Sequence, residues 1–327
     1  MAILVTGVAG FIGFHVATAL LARGEAVIGV DNLNDYYDVT LKEARLAKLQ
    51  AHKNFRFHKL NIADKDAMFA MAQDEGAALT GIVHLAAQAG VRYSLINPYA
   101  YIEANILGQT VMLELARQLP HLKHFVYASS SSVYGGNTKV PFAVEDAVEK
   151  PVSLYAATKR ADELMAWTYA HLYKLPSTGL RFFTVYGPWG RPDMAAFLFT
   201  RHILAGEPIR VFNHGNMRRD FTYIDDIVAG VVAALDRPPE AATDAPPTRL
   251  YNLGNAHAES LMDFIATIES ALGQKAVYDF QPLQAGDVPE TFADITASAR
   301  DLGYLPKTTI REGIPQFVAW YRGHYGC

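Results

Sequence analysis

The stretch Ala2-Ile3-Leu4-Val5-Thr6-Gly7-Val8-Ala9-Gly10-Phe11-Ile12-Gly13 carries the reading that decides the fold. Its first five residues are an apolar run of strand length. Gly7, Gly10 and Gly13 then make a G-x-x-G-x-x-G turn, and residues 14–23 continue with helical periodicity. Glycines at these places let the chain turn tightly and bring its backbone close to a pyrophosphate. The N–H groups and the positive dipole end of the following helix complete an anion site. A loop of this kind also occurs in ordinary strand–helix turns, so its surroundings decide.

Working outward, Gly24-Glu25 turns the chain and residues 26–30 form a second apolar run ending at Asp31. An acid about 20 residues past the glycines accepts hydrogen bonds from both ribose hydroxyls and repels a 2′-phosphate. No arginine follows in Asn32-Leu33-Asn34, so NAD is expected rather than NADP. Residues 55–59, 81–85 and 124–128 read as further strands separated by helical segments. Such alternation predicts an α/β fold, a Rossmann-type doubly wound parallel sheet with ligands at the carboxyl ends of its strands. After Gly187 the pattern changes to shorter elements rich in aromatics, Pro, Arg and Gly. The expected division is an NAD-binding part, 1–186, and a smaller α/β substrate-binding lobe, mainly 187–327, with some segments returning to the sheet. Residues 238–247, with Pro238-Pro239 and Pro246-Pro247 at their ends, read as a surface loop.

Composition narrows the function classes. Of 327 residues, half are hydrophobic and 19% are charged, which suits a globular chain with a large core. Lys+Arg number 29 and Asp+Glu 33, giving a net charge of −4, with no basic block to favour nucleic acid. The single cysteine, Cys327, excludes a disulfide or a Cys-ligated metal site within one chain, and no metal is expected. No apolar run reaches the ~18 residues needed to span a bilayer. The start of the chain does not read as a signal peptide, so no membrane partner and a cytoplasmic location are expected.

Chemistry enters at Tyr155-Ala156-Ala157-Thr158-Lys159. Side chains at i and i+4 share one helix face. A lysine beside a phenol stabilises phenolate, and an oxidised nicotinamide would add to the effect, making Tyr155 a general base. Taken alone, Y-x-x-x-K is common on exposed helix faces. Here it is preceded by Ser129-Ser130-Ser131-Ser132-Val133-Tyr134-Gly135, placed after the apolar run 125–128. Hydroxyls at that strand end face the cofactor crevice of this fold class.

These residues, together with His84-Leu85-Ala86-Ala87, Asn105 and Arg219-Asp220-Phe221, resemble the extended short-chain dehydrogenase/reductase superfamily over nearly the whole chain. Three further stretches are similar to its nucleotide-sugar epimerases, most closely the UDP-glucuronate 4-epimerase family. They are Asp31-Asn32-Leu33-Asn34-Asp35-Tyr36-Tyr37, Gln88-Ala89-Gly90-Val91-Arg92-Tyr93-Ser94, and the run from Arg181-Phe182-Phe183-Thr184 through Gly190-Arg191-Pro192-Asp193-Met194.

The resemblance implies that Asp31 and Asn32 bind the adenosine ribose and that Phe11 and Ile12 belong to the phosphate loop. Leu85, Ala86, Ala87 and Gln88 would line the cofactor path, supported by Asn105. Ser130, Tyr155 and Lys159 become the catalytic trio, with Lys159 also on the nicotinamide ribose. Arg219 meets the UDP diphosphate, and Phe197, Val211 and Phe212 neighbour the uracil. Arg92 and Asp287 complete the substrate set. A homodimer formed by helices at 101–118 and 154–171 is implied as well.

Departures from the pattern point to the substrate. Asn61-Ile62 replaces the usual Asp-Ile at the adenine contact, which weakens or alters it. Gln284 and Thr184 stand where glucose/galactose epimerases have Arg and Asn. Ser131 and Ser132 occupy positions that are Asp-Glu in the dehydratases, so dehydration is disfavoured. Three neutral hydroxyls, Ser131, Ser132 and Thr184, suit an acceptor-only carboxylate, to which Arg191 adds a charge-assisted contact. The expected activity is reversible C4 epimerisation of UDP-glucuronate to UDP-galacturonate through a 4-keto sugar with tightly bound NAD. The alternatives left open are a UDP-glucose 4-epimerase, a UDP-glucuronate decarboxylase and a non-catalytic NAD-binding regulator.

Overall fold

A computed structural model describes residues 2–241, 245–284 and 288–327. The first half alternates strands and helices: β1 (Ala2–Thr6), α1 (Phe11–Ala22), β2 (Ala26–Asp31), α2 (Val39–Gln50), β3 (Phe55–Lys59), α3 (Lys65–Glu75) and β4 (Leu79–His84). After a longer connection come α4 (Pro98–Tyr101), a π-helical turn (Ile102–Leu107), α5 (Gly108–Ala116), β5 (His124–Ser130), α6 (Leu154–Tyr173) and β6 (Ser177–Phe182). The remainder contains β7 (Thr184–Tyr186), α7 (Ala195–Ala205), β8 (Pro208–Val211), β9 (Arg218–Arg219), β10 (Phe221–Tyr223), α8 (Ile224–Leu235) and β11 (Thr248–Leu253). It closes with β12 (Glu259–Ser260), α9 (Leu261–Leu272), β13 (Val277–Phe280), β14 (Glu290–Thr291), α10 (Thr296–Leu302) and α11 (Ile310–Tyr325).

Seven strands form one parallel sheet in the order β11-β6-β5-β4-β1-β2-β3. Strand order reverses between β1 and β4, and the crevice that opens there is where this architecture binds ligands. Both faces are covered, so the central strands are apolar without alternation. The pleat still divides them. Val5, Val27, Val83 and Val126 face Phe14 and Leu20 of α1 and Ile227 and Val231 of α8. Their neighbours Leu4, Ile28, Ile82 and Phe125 face Met68 and Met71 of α3 and Val111, Met112 and Leu115 of α5.

Three small pairings build a lobe over the carboxyl ends: β7 with β10, β8 with β13, and β9 between β12 and β14. Its helices α9 and α11 pack on the first core cluster through Phe264, Ile268, Ile314 and Phe317.

Two details differ from the periodicity. The α1 helix begins at Phe11, inside the glycine-rich loop, with Gly10 as its N-cap. The segment 101–118 is not one regular helix, because residues Ile102–Leu107 adopt the wider π turn. Of the loop 238–247, residues 242–244 lie outside the described residues.

Candidate active site

A cleft of about 1280 Å³ runs along the strand ends into the second lobe. At one end, the backbone of Gly7 leaves β1 with φ +69° and passes so close to β4 that a Cβ would lie 2.8 Å from Ala86 N. A Cβ on Gly13 would lie 2.1 Å from the Gly7 carbonyl. Only glycine fits at either place, which is why the loop stays low enough to admit a pyrophosphate beside Gly10, Phe11 and Ile12. Thr6 Oγ1 accepts from Ala86 N at 3.1 Å and pairs with His84 Nδ1 at 2.7 Å, fixing the strand end that carries Leu85, Ala86, Ala87 and Gln88. Burial, with Lys159 nearby, pushes the His84 pKa down to about 3, so its ring is neutral.

Asp31 closes the same end. Its Oδ2 accepts from Ala9 N at 3.1 Å and its Oδ1 from Leu33 N at 2.8 Å. An ionised carboxylate has about four acceptor positions, so capacity is left for ribose hydroxyls. Asn32 lines the cleft beside it, as do Asn61 and Ile62. Asn61 is committed on both sides of its amide: Nδ2 donates to Glu103 Oε1 at 2.9 Å and Oδ1 accepts from Ala63 N at 3.1 Å. An aspartate here would set a second carboxylate against Glu103, which accounts for the amide. Gln88 sits with its side-chain nitrogen buried and without a hydrogen-bond partner among the described residues. An orphaned donor in the wall of a glycine-cradled cleft fits a dinucleotide with acceptor groups at that level.

Asn105 does not line the cleft. It stands behind it, buried in the π turn, and clamps Gln88 at both backbone groups: Oδ1 accepts from Gln88 N at 2.8 Å and Nδ2 donates to Gln88 O at 3.1 Å. The same Nδ2 lies 2.9 Å from Thr158 Oγ1 on α6. A wide turn is what aims this amide at both partners.

Ser130, Tyr155 and Lys159 all face the cleft. Ser130 caps the short helical turn Ser131–Tyr134, its Oγ accepting from Ser132 N at 3.2 Å. Tyr155 lies in the first turn of α6, capped by Ser153, where the helix dipole favours an anion. Tyr101 packs edge-on against it at 6.0 Å between ring centres. Lys159 Nζ donates to Ala128 O at 3.1 Å and to Asp162 Oδ2 at 2.9 Å. One turn further, Glu163 accepts from Arg181 Nε at 2.8 Å, from Arg181 Nη2 at 2.9 Å and from Ser129 Oγ at 2.7 Å, all buried. Burial raises the Glu163 carboxyl, and these donors more than reverse it. This bridge locks α6 to the ends of β5 and β6 and so fixes the distance between the serines and the tyrosine helix.

Ser131, Ser132, Thr184, Arg191, Phe212 and Arg219 also line the cleft, as does Arg92, whose guanidinium lies 4.7 Å from the Phe212 ring centre. Arg191 forms a two-pronged pair with Asp193, at 3.0 Å from Nε and 2.5 Å from Nη2. Tyr36 donates to the same carboxylate at 3.1 Å. The loop carrying Arg191 is held rigidly. Trp189 adopts φ +61°, a left-handed conformation, wedged between Phe14, Trp320 and His324.

Two expected contacts are not where the resemblance implied, and a third falls outside the described residues. Phe197 does not line the cleft: it lies on the inner side of α7 among Phe317, Trp320 and Tyr321. Val211 is fully buried, because the alternation of β8 turns it inward while Arg210 is exposed. Asp287 lies outside the described residues. The sequence reading missed Tyr36, Tyr101, Asp162 and Asp193. Asp162 carried a usable signal, being three residues past Lys159 on one helix face, and Tyr36 and Asp193 lie in the stretches that carry the resemblance.

Comparison with known proteins places this geometry. The model of the NAD dependent epimerase/dehydratase family matches residues 3–254. A Rhizobium meliloti protein described as a probable UDP-glucuronate 4-epimerase is 48% identical over 337 residues, covering 99% of this chain and 98% of its own. UDP-glucuronate 4-epimerase 2 of Arabidopsis thaliana is 47% identical, over 99% of this chain and 76% of its own. The crystal structure of UDP-glucuronic acid 4-epimerase from Bacillus cereus, in complex with UDP-glucuronic acid and NAD, matches with a TM-score of 0.90 at 33% identity. The match covers 99% of this chain and all of that one.

Proposed function

Since the chain belongs to the NAD-dependent epimerase/dehydratase family, we propose that it inverts C4 of UDP-glucuronate reversibly, giving UDP-galacturonate. The observation that carries this is one cleft lined by the glycine loop and Asp31, by Ser130, Tyr155 and Lys159, and by Ser131, Ser132, Thr184 and Arg191.

NAD is the cofactor, held by Gly7, Gly10, Phe11, Ile12, Gly13, Asp31, Asn32 and the segment Leu85-Ala86-Ala87-Gln88; when bound it supplies a reversible hydride acceptor at C4. Tyr155, as phenolate, removes the C4 hydroxyl proton, and Lys159 stabilises that anion. Ser130 hydrogen-bonds the same hydroxyl and orients it. The sugar, now a 4-keto uronate, turns about its diphosphate while Arg219 keeps the diphosphate in place, and Tyr155 returns the proton to the C4 oxygen as the hydride is restored to the opposite face of C4.

Ser131, Ser132 and Thr184 donate to the carboxylate. Arg191 spends two of its five donors on Asp193 and has others for the same group. A 4-keto uronate is a β-keto acid and loses CO2 when its carboxylate bond aligns with the carbonyl π system. Hydroxyl donors hold that carboxylate without offering C5 an acid. This favours epimerisation over decarboxylation, and Gln284 at the second diphosphate position disfavours the neutral-sugar reaction.

The reading includes a nucleotide part, 1–186, and a mainly sugar-binding part, 187–327. It also includes a homodimer, for which the apolar exposure of Leu95, Ile96, Tyr99, Leu164 and Trp167 is the support. A cytoplasmic location rests on the single cysteine. No helix among the described residues is long and apolar enough to cross a membrane.

The test is incubation of the purified protein with UDP-glucuronate in deuterated water. UDP-galacturonate should form without pentose product and without deuterium at C4. A UDP-pentose product, label at C4, or turnover of UDP-glucose in preference to the uronate would each overturn the reading.

A further inference from the structure

Three titratable side chains succeed one another along a single strip of α6: Tyr155 and Lys159 face the cleft, and Asp162 lies behind them. Asp162 Oδ2 is 2.9 Å from Lys159 Nζ, and the two side chains are 1% and 6% exposed. The other carboxylate oxygen, Oδ1, is buried with no hydrogen-bond partner among the described residues. A carboxylate buried with half its acceptor capacity unmet is a poor stabilising device, since desolvation costs it more than one contact returns. Its charge, however, acts on the lysine at close range in a dry setting, where Coulomb interactions are strong.

We propose that Asp162 is a positioning residue that partly cancels the Lys159 charge felt by the Tyr155 phenol and so sets the pH at which that phenol works as a base. The inference rests on the proposed role of Tyr155 and deepens it. Lys159 favours phenolate; an anion on the far side of the same ammonium weakens that field and holds the proton on the phenol to higher pH.

The surroundings single out Asp162. Glu163, next on the helix, is matched by the pair from Arg181 and a contact from Arg160 at 2.9 Å. Tyr127, on β5, is neutral, its pKa raised by burial. His84, facing Lys159 from β4, is held neutral by burial. Tyr101, edge-on to Tyr155, is also kept protonated by burial. Asp162 itself is pushed up to about 6 by burial, with Lys159 opposing the rise. It is therefore anionic at neutral pH and discharges just below it.

Asp162→Asn is close to isosteric and leaves an acceptor for Lys159. Two profiles would be measured: kcat/KM for UDP-glucuronate against pH, and the tyrosinate ultraviolet difference absorbance of the NAD-loaded protein against pH, with the Tyr155→Phe signal subtracted. In Asp162→Asn both midpoints should move down together by about 0.5–1 pH unit. Asp162→Ser, which fits the same space, should do the same if the amide variant folds poorly. Unchanged midpoints would overturn the inference. So would an upward move, which would mean that Asp162 serves to keep the lysine charged. If Tyr155→Phe subtracts no titrating signal from the unsubstituted protein, the proposed base itself is gone and this inference with it. That result is distinct from a signal that is present but unmoved in Asp162→Asn.

Discussion

Arg45 Nη1 donates to the Ala9 carbonyl at 2.9 Å, so helix α2 holds the crown of the glycine-rich loop. Nη2 of the same guanidinium reaches Trp189 O at 2.7 Å and Gly190 O at 3.3 Å. Arg45 is fully buried, and its side chain ties the nucleotide loop to the loop that carries Arg191. Arg45→Met keeps the bulk and strands three carbonyls. A loss of about 2–4 kcal/mol is expected, seen as a fall in Tm of about 3–6 °C. NAD affinity and the KM for the uronate should worsen together, and Arg45→Lys should recover part of both. Calorimetry and NAD titration check this, and loss of stability with both affinities intact would contradict the coupling.

Asn61 and Glu103 form a second cross-link, at the adenine end. Asn61→Asp replaces a donor with a like charge and should weaken NAD binding by about 0.5–1 kcal/mol. The double variant with Glu103→Gln should regain most of it. An NAD titration of the four proteins completes the cycle, and additive effects would show that the two side chains do not communicate.

Acid should destabilise the fold before most of its carboxylates are titrated. Burial pushes His15 and His124 down to about 4, and His84 to about 3. Between pH 6.5 and about 4 the unfolded chain binds protons that the folded chain refuses. The stability is therefore complete above 6.5 and is lost as pH falls, by one to two kcal/mol per pH unit for each ring. Asp162 works in the other direction, because its folded pKa of about 6 lies above the unfolded value, and it offsets about one ring below pH 6. Tm should decline steadily from pH 6.5 to 4.5. A flat profile would mean that these rings become charged without unfolding.

Tyr99 and Trp167, 82% and 50% exposed, stand on α4 and α6, which pack side by side. The pair Tyr99→Glu and Trp167→Glu should convert a dimer into a monomer of half the mass, measured by light scattering during gel filtration. A monomeric unsubstituted protein would remove the dimer from the proposal.

Much of this arrangement is legible in the chain because it depends on local patterns. Gly7, Gly10 and Gly13 announce themselves by spacing, β1, β2, β4 and β5 by apolar runs, and Tyr155 with Lys159 by helical interval. What stayed hidden depends on partners far apart in sequence. Arg45 has no local signature, since its acceptors come from Ala9 and from Trp189 and Gly190. The resemblance puts Phe197 beside the uracil, yet an aromatic side chain suits a hydrophobic core equally. Only the packing of α11 against α7 decides between them. Asn61 looked like a loss until Glu103, brought beside it by the fold, made it the complementary choice.

The π turn at Ile102–Leu107 makes length the sensitive quantity there. Such a turn stores an extra residue that a regular helix would have no room for. Removing any one residue from it would let α4 and α5 run together as a regular helix, shifting the side chains within the turn by about 100° around its axis. Single exchanges at most of these six places would be absorbed, whereas a one-codon deletion would swing Asn105 off Gln88 and unfasten the wall of the nucleotide cleft.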